Sequence, residues 1–248
     1  MSIFGKHSIQ NTVSNIADSV KSKAMDKLAE SNLPDLQTWK EKTGTQLRGI
    51  FKPKESEEMP EIVRMEAIPT RCAIKIIYFL MAADGEIFHS EEEKFDSIGR
   101  ELSLDYDRFR AQLTRECKTW LRGENDPEDY FDALRDGINA ALRAETDPED
   151  SSISPKLLMW DLLAISYSDG QYNKEEQRLL KYIIRKLDFD RSVFLEMETS
   201  IQTLLSLDEE IRWVQTTDRP YMTIKAIEKE LSKRKNTVYN SIIDLIGM

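Results

Sequence analysis

Five carboxylates stand at two places that share one pattern. Asp84, Glu86 and Glu91 lie in Ala83-Asp84-Gly85-Glu86-Ile87 and its continuation, and Asp169 and Glu176 lie in Ser168-Asp169-Gly170-Gln171-Tyr172 and its continuation. Carboxylate oxygens are the ligands that hard divalent cations such as Ca²⁺, Mg²⁺ or Mn²⁺ prefer. Should the two Asp-Gly turns converge, Asp84, Glu91, Asp169 and Glu176 would hold one ion between them. Carboxylates brought together without a counter-ion repel and shift their pKa values upward, and a cation relieves that. Glu86 belongs to the acidic pattern of the first copy only. Gln171 stands in its place in the second, as Lys174 does for His89, so neither position reads as a symmetric ligand.

A calcium loop of the EF-hand type is excluded. Asp84, Gly85 and Glu91 fit loop positions 5, 6 and 12. Positions 1 and 3 then fall on Leu80 and Ala82, or on Ile165 and Tyr167 in the second copy, and only the phenol offers a side-chain oxygen. A reading without any ion stands beside the metal reading. Glu91 and Glu176 fall in the first turn of a helix, where the dipole favours carboxylates and a capping box uses them. Ser90-Glu91-Glu92-Glu93 and Asn173-Lys174-Glu175-Glu176 both fit that pattern, and Asp before Gly is ordinary turn chemistry.

The elements that position these residues repeat with them, at an offset of 85 residues and without a gap. Ile77 falls on Leu162, Leu80 on Ile165, Phe95 on Leu180, Ile98 on Ile183, Leu102 on Leu187, Asp105 on Asp190 and Phe109 on Phe194. Each copy reads as a helix apolar nearly all round, therefore buried, then an Asp-Gly stop, a Glu-led amphipathic helix and a third short segment. Pro69 and Pro155 suit the first position of the two apolar helices. Between the copies, Asp126-Pro127 caps a helix carrying Phe131, Leu134, Ile138 and Leu142, and a polar connector runs from Glu145 to Ser154. Alternating strand patterns are absent. The fold class expected is all-α, a helical bundle of two pseudo-symmetric halves.

A buried helix, Ala83-Asp84-Gly85-Glu86-Ile87, Glu91, an apolar helix and the segment Leu102-Ser103-Leu104-Asp105 resemble the TerB-like family, related to tellurite resistance. The resemblance covers roughly residues 65–205. It implies a compact all-helical domain of two pseudo-symmetric halves, acidic residues that bind a divalent metal, and a place in bacterial stress response or defence, sometimes at the membrane. The acidic pattern carries over to Asp84, Glu86 and Glu91, and to Asp169 and Glu176. Phe88, where the family has a small capping residue, and Gln171 depart from it.

Both ends lie outside the resemblance. Ile9, Val13, Ile16, Val20, Ala24 and Leu28 recur at spacings of three and four, the pattern of one amphipathic helix over residues 1–30. Such a helix pairs with a partner protein, docks back on its own domain or lies on a membrane surface. Residues 52–61, with two prolines, read as linker, so 1–60 is an arm attached to a domain spanning 61–206, with repeats at about 69–110 and 154–195. Residues 207–248 form a C-terminal helical extension. Leu207 to Val214 reads as a helix capped by Asp208. Thr223 to Leu231 and Lys235 to Ile246 then resemble a helix-turn-helix, which places Lys233, Arg234, Lys235, Asn236 and Thr237 at the start of a recognition helix. Five Lys/Arg against three Asp/Glu over residues 221–248 give +2, weak electrostatics for DNA.

The whole chain carries a formal charge of −10, which disfavours sequence-independent nucleic-acid binding. Seven of its acids (Asp84, Glu86, Glu91, Glu92, Glu93, Asp96, Glu101) cluster in 84–101 against two bases (Lys94, Arg100). That acidic face is a second candidate surface for a protein partner. Cys72 and Cys117 have no metal-binding spacing and fit a reduced, cytoplasmic protein. No signal peptide is expected, and no run approaches the roughly 18 apolar residues of a membrane span. Gly-rich phosphate loops, nucleophile elbows and His clusters are missing. The expectation is a non-enzymatic, partner-binding protein, with a DNA-associated or transcriptional adaptor as the alternative and peripheral membrane contact as a third.

Overall fold

The computed structural model describes residues 61–123, 126–144, 151–168 and 172–247. The arm 1–60, with its expected amphipathic helix, lies outside them, as does the turn 169–171. The described residues are mostly helical, as expected. They form eight helices: α1 (Thr70–Met81), α2 (His89–Leu102), α3 (Tyr106–Trp120), α4 (Pro127–Arg143), α5 (Pro155–Ser166), α6 (Lys174–Lys186), α7 (Arg191–Gln215) and α8 (Tyr221–Ile246). The starts of α5, α6 and α7 follow those of α1, α2 and α3 by 85 residues each: 155 − 70, 174 − 89 and 191 − 106.

The two apolar helices make the centre. In α1, Ile74, Ile76, Ile77 and Leu80 are wholly buried, and in α5 so are Leu158, Met159, Trp160, Leu162 and Leu163. α1 and α5 pack on each other. Around them, α1 also takes α2, α3, α4 and α6, while α5 takes α2 and α7. Hydrophobic burial on this scale, at roughly 25 cal/mol per Å² of apolar surface, drives the assembly. α4 lies against α1 because Gly137 leaves room, and a Cβ there would stand 2.5 Å from the Phe79 ring.

Local chemistry sets most helix ends. Pro155 opens α5 behind Ser154, whose Oγ accepts the Leu157 N–H at 3.1 Å. Asp126 caps α4 by accepting from Glu128 and Asp129, as its sequence indicates. Pro69 differs from expectation: it precedes α1 as the last residue of a short strand. Two such strands form, β1 (Ile68–Pro69) and β2 (Ser152–Ile153), where the sequence shows no alternation. They pair antiparallel with Ile68 opposite Ile153. Two residues are too short to carry a period, so the pattern could not announce them.

The C-terminal region departs further. Leu207–Val214 is no separate helix; α7 runs unbroken from Arg191 to Gln215, and the expected boundary at 206/207 falls inside it. Asp208 is not a cap but a buried side chain facing α8. The helix-turn-helix is likewise absent: α8 continues from Tyr221 to Ile246 through Ser232 and Lys235, and starts at Tyr221 rather than Thr223. No Gly or Pro interrupts Leu231–Lys235, and Lys and Arg are good helix formers, so nothing breaks the turn there. α7 and α8 form a long hairpin. Near the domain, Tyr239, Ile242, Ile243 and Ile246 join the main core, and farther out Leu207, Val214 and Leu231 make a small core of their own.

Candidate functional site

α1 ends in a turn whose Gly85 takes φ +84°, a left-handed conformation that disfavours side chains. Asp84 uses both carboxylate oxygens. Oδ1 accepts the Glu86 N–H at 3.0 Å, and Oδ2 accepts the amide of Asn173 at 3.2 Å, from the start of α6. The first Asp-Gly turn therefore touches the helix that follows the second. Tyr130 of α4 donates to the Ala82 carbonyl at 2.7 Å beside it. Burial pushes that phenol pKa up, and the Asp84 carboxylate adds to the shift.

Glu91 and Glu176 are buried and occupied with their own helices. Glu176 Oε2 accepts the Asn173 N–H at 3.0 Å while Asn173 Oδ1 accepts the Glu176 N–H at 2.8 Å, a complete capping box. Glu91 Oε2 accepts the Phe88 N–H at 2.7 Å. Phe88, not Ser90, is the cap residue of α2, and a phenyl ring accepts no such bond, so the first copy has half a box. Glu86 is exposed. Asp169 lies outside the described residues. Among the described residues, no three of His, Cys, Asp and Glu stand close enough together to hold a metal ion. The structure thus joins Asp84 to Asn173 across the two copies and leaves Glu91 and Glu176 as caps.

Two buried polar groups escaped the sequence reading. Asp161 sits in the middle of α5, 2% exposed, and its Oδ2 has no hydrogen-bond partner. Burial holds its pKa well above the carboxylate range; Glu101 raises it further and Lys94 opposes. Lys94 of α2 is 3% exposed. Burial brings it down to about 7, against the pull of Glu101 and Asp161. The 85-residue counterparts of Asp161 and Lys94 are Ile76 and Leu179, both apolar and buried. Comparing the copies position by position is the signal that finds this pair.

The second group flanks the 169–171 turn. Tyr167 donates to Glu198 Oε1 at 3.3 Å and accepts from Gln202 Nε2 at 2.8 Å. The rings of Tyr167 and Tyr172 lie 5.0 Å apart. Burial pushes Glu198 up to about 7, partly offset by the Tyr167 hydrogen bond. Nothing in the spacing of α7 marks Glu198, whose counterpart Leu113 is a core residue.

The nucleic-acid candidates fall elsewhere than expected. Lys233, Arg234, Lys235, Asn236 and Thr237 lie in the middle of α8, not at a helix start. Lys235 reaches Asp208 at 2.5 Å, Arg234 reaches Glu230 at 3.3 Å, and the Thr237 hydroxyl donates to the Lys233 carbonyl. At the outer end of the hairpin, large apolar side chains face solvent: Trp213 is 48%, Tyr221 71% and Met222 74% exposed. The Arg219 guanidinium covers Trp213 at 5.2 Å. Beside α4, a groove of about 670 Å³ opens between α3 and α4 over Phe79. No described helix is long and apolar enough to cross a membrane.

Set against protein-family models, curated proteins and solved structures, the chain matches none of them.

Proposed function

We propose that the chain is a cytoplasmic, non-enzymatic, TerB-like module of two pseudo-symmetric halves that serves stress response or defence by binding a protein partner. Two observations support the halves. The helix starts recur at 85 residues. Ile68 also pairs with Ile153, its own counterpart at that offset, as an antiparallel pair on a local two-fold axis requires. Partner binding rests on the hairpin tip. Trp213, Tyr221 and Met222 expose large apolar surface at one end of an extension beyond the main core. Aromatic groups on a protruding element are the kind of residue that carries most of an interface's energy.

The test is a crosslinking enrichment from cell extract, read by mass spectrometry. The full chain is compared with the Trp213→Ala, Tyr221→Ala, Met222→Ala variant. A protein recovered in stoichiometric amount with the first and lost with the second, at unchanged thermal stability, supports the reading. Equal recovery with both refutes it.

A second reading adds a divalent cation, Ca²⁺, Mg²⁺ or Mn²⁺, at the paired turns. The bond from Asn173 to Asp84 Oδ2 favours it, because it brings the two turns together. Asp84 and Asp169 are then the ligands, since Glu91 and Glu176 already accept backbone N–H groups. Calorimetric titration of metal-stripped chain with each ion checks this. Micromolar binding of one ion per chain, lost in Asp84→Asn with Asp169→Asn, supports the site, and absence of heat with every ion removes it.

A further inference from the structure

The groove between α3 and α4 is floored by Phe79, Cys117, Gly137 and Ala141 and walled by Trp120, with Lys75 and Glu116 paired at 2.8 Å on its rim. Phe79, Cys117, Gly137 and Ala141 are buried, and Trp120 stands half out of it. The Trp120 indole N–H is anchored to the Ala133 carbonyl at 3.1 Å, so the wall is fixed. Gly137, Ala140 and Ala141 keep the α4 side shallow, which lets another backbone come close.

The described chain begins beside this groove. Glu61 pairs with Arg143, the last residue of α4, and the Val63 N–H donates to the Lys186 carbonyl at 2.7 Å. Arg143 lies two residues beyond Ala141, or about 3 Å along the helix axis. The polar linker 52–60, at roughly 3.3 Å per extended residue, spans about 30 Å. That reach crosses α4, whose full diameter is roughly 10–12 Å. Upstream of the linker, Ile9, Val13, Ile16, Val20, Ala24 and Leu28 form an apolar stripe in sequence. β-Branched knobs of this size match a floor made of glycine and alanine.

We infer that the Ile9–Leu28 stripe of this chain docks in the α3–α4 groove, tethered through Glu61 at the end of α4. The groove is then an internal interface, and the arm covers it within one molecule.

The test uses the full chain, ¹⁵N-labelled, with a nitroxide on Thr119→Cys. Thr119 is exposed and lines the groove, while both native cysteines are buried. Docking is read as loss of the amide signals of residues 9–28 by paramagnetic broadening. The same signals are expected to stay sharp with the label at exposed Thr199→Cys on α7, and to recover when Ala140→Trp fills the groove. Val13→Asp with Ile16→Asp must recover them too, and this variant leaves the domain's own core intact. Sharp signals with the label at Thr119, or broadening that neither variant relieves, would overturn the inference. So would broadening seen only when unlabelled spin-labelled chain is mixed with ¹⁵N chain, because the occupant would then be a second copy.

Discussion

Two helix contacts in this fold occupy corresponding places and are built from opposite materials. α1 packs on α6 with Ile76 and Leu179 buried, and α2 packs on α5 with Lys94 and Asp161 at the same positions of the other copy. Two charges taken out of water cost several kcal/mol each, and their attraction returns that only with good geometry. The charged contact is therefore not there because it is the more stable choice; the copy beside it shows that apolar residues suffice. Its effect is to make the two contacts unlike. We expect this to fix which helix lies on which in a chain whose two halves are otherwise easily exchanged. A single polar position sets register in helical assemblies by the same means.

The largest expected effects come from removing one member of the pair. Asp161→Ile leaves Lys94 buried beside an apolar side chain, and Lys94→Leu leaves Asp161 with Glu101 near it. Each is expected to cost about 3–5 kcal/mol, read by equilibrium unfolding in urea.

Glu198 sharpens the comparison through pH, since its counterpart is the apolar Leu113. Its pKa is raised in the folded chain from 4.5 to about 7. The native state thus binds the proton more tightly than the unfolded state. The associated stability is fully present below pH 4.5 and is lost as pH rises through about 7. The loss is on the order of 3 kcal/mol between those limits. Glu198→Gln is expected to flatten that part of the profile, and unfolding midpoints measured from pH 4.5 to 8 check it. An unchanged slope would place the titration elsewhere.

The caps give the smaller effects. Asn173→Ala removes the complete box of α6 together with the bond to Asp84, and is expected to cost about 1 kcal/mol. Phe88→Asn supplies the missing half of the box at α2 and is expected to add a few tenths of a kcal/mol up to about 1. Thermal unfolding of the two variants checks both signs.

These contrasts also mark what was legible in the sequence. The 85-residue repeat announces six of the eight described helices in order, because an apolar face and an Asp-Gly stop are local signals. Glu91 and Glu176 were legible as first-turn carboxylates, and the structure uses both oxygens' neighbourhoods that way. Phe88 as a cap was not, because the bond there comes from Glu91 alone. Asp161 was hidden by its setting: one acid inside Leu157–Ile165 reads as a break in an apolar run, and only tertiary packing brings Lys94 to it. The hairpin was misread for the opposite reason. Asp208 and Thr223 are good caps by type, but helix termini also need a breaker, and Lys235 gives Asp208 a partner 27 residues away in the chain.

The most direct test of the duplicated architecture is the exchange of the charged pair for the residues of the other copy, Lys94→Leu with Asp161→Ile, measured by urea unfolding beside the two single variants. If the two contacts are the same contact in each copy, the double variant will recover to wild-type stability or exceed it by about 1–4 kcal/mol. A double variant that loses the sum of the two single costs would contradict the correspondence and, with it, the reading of one unit used twice.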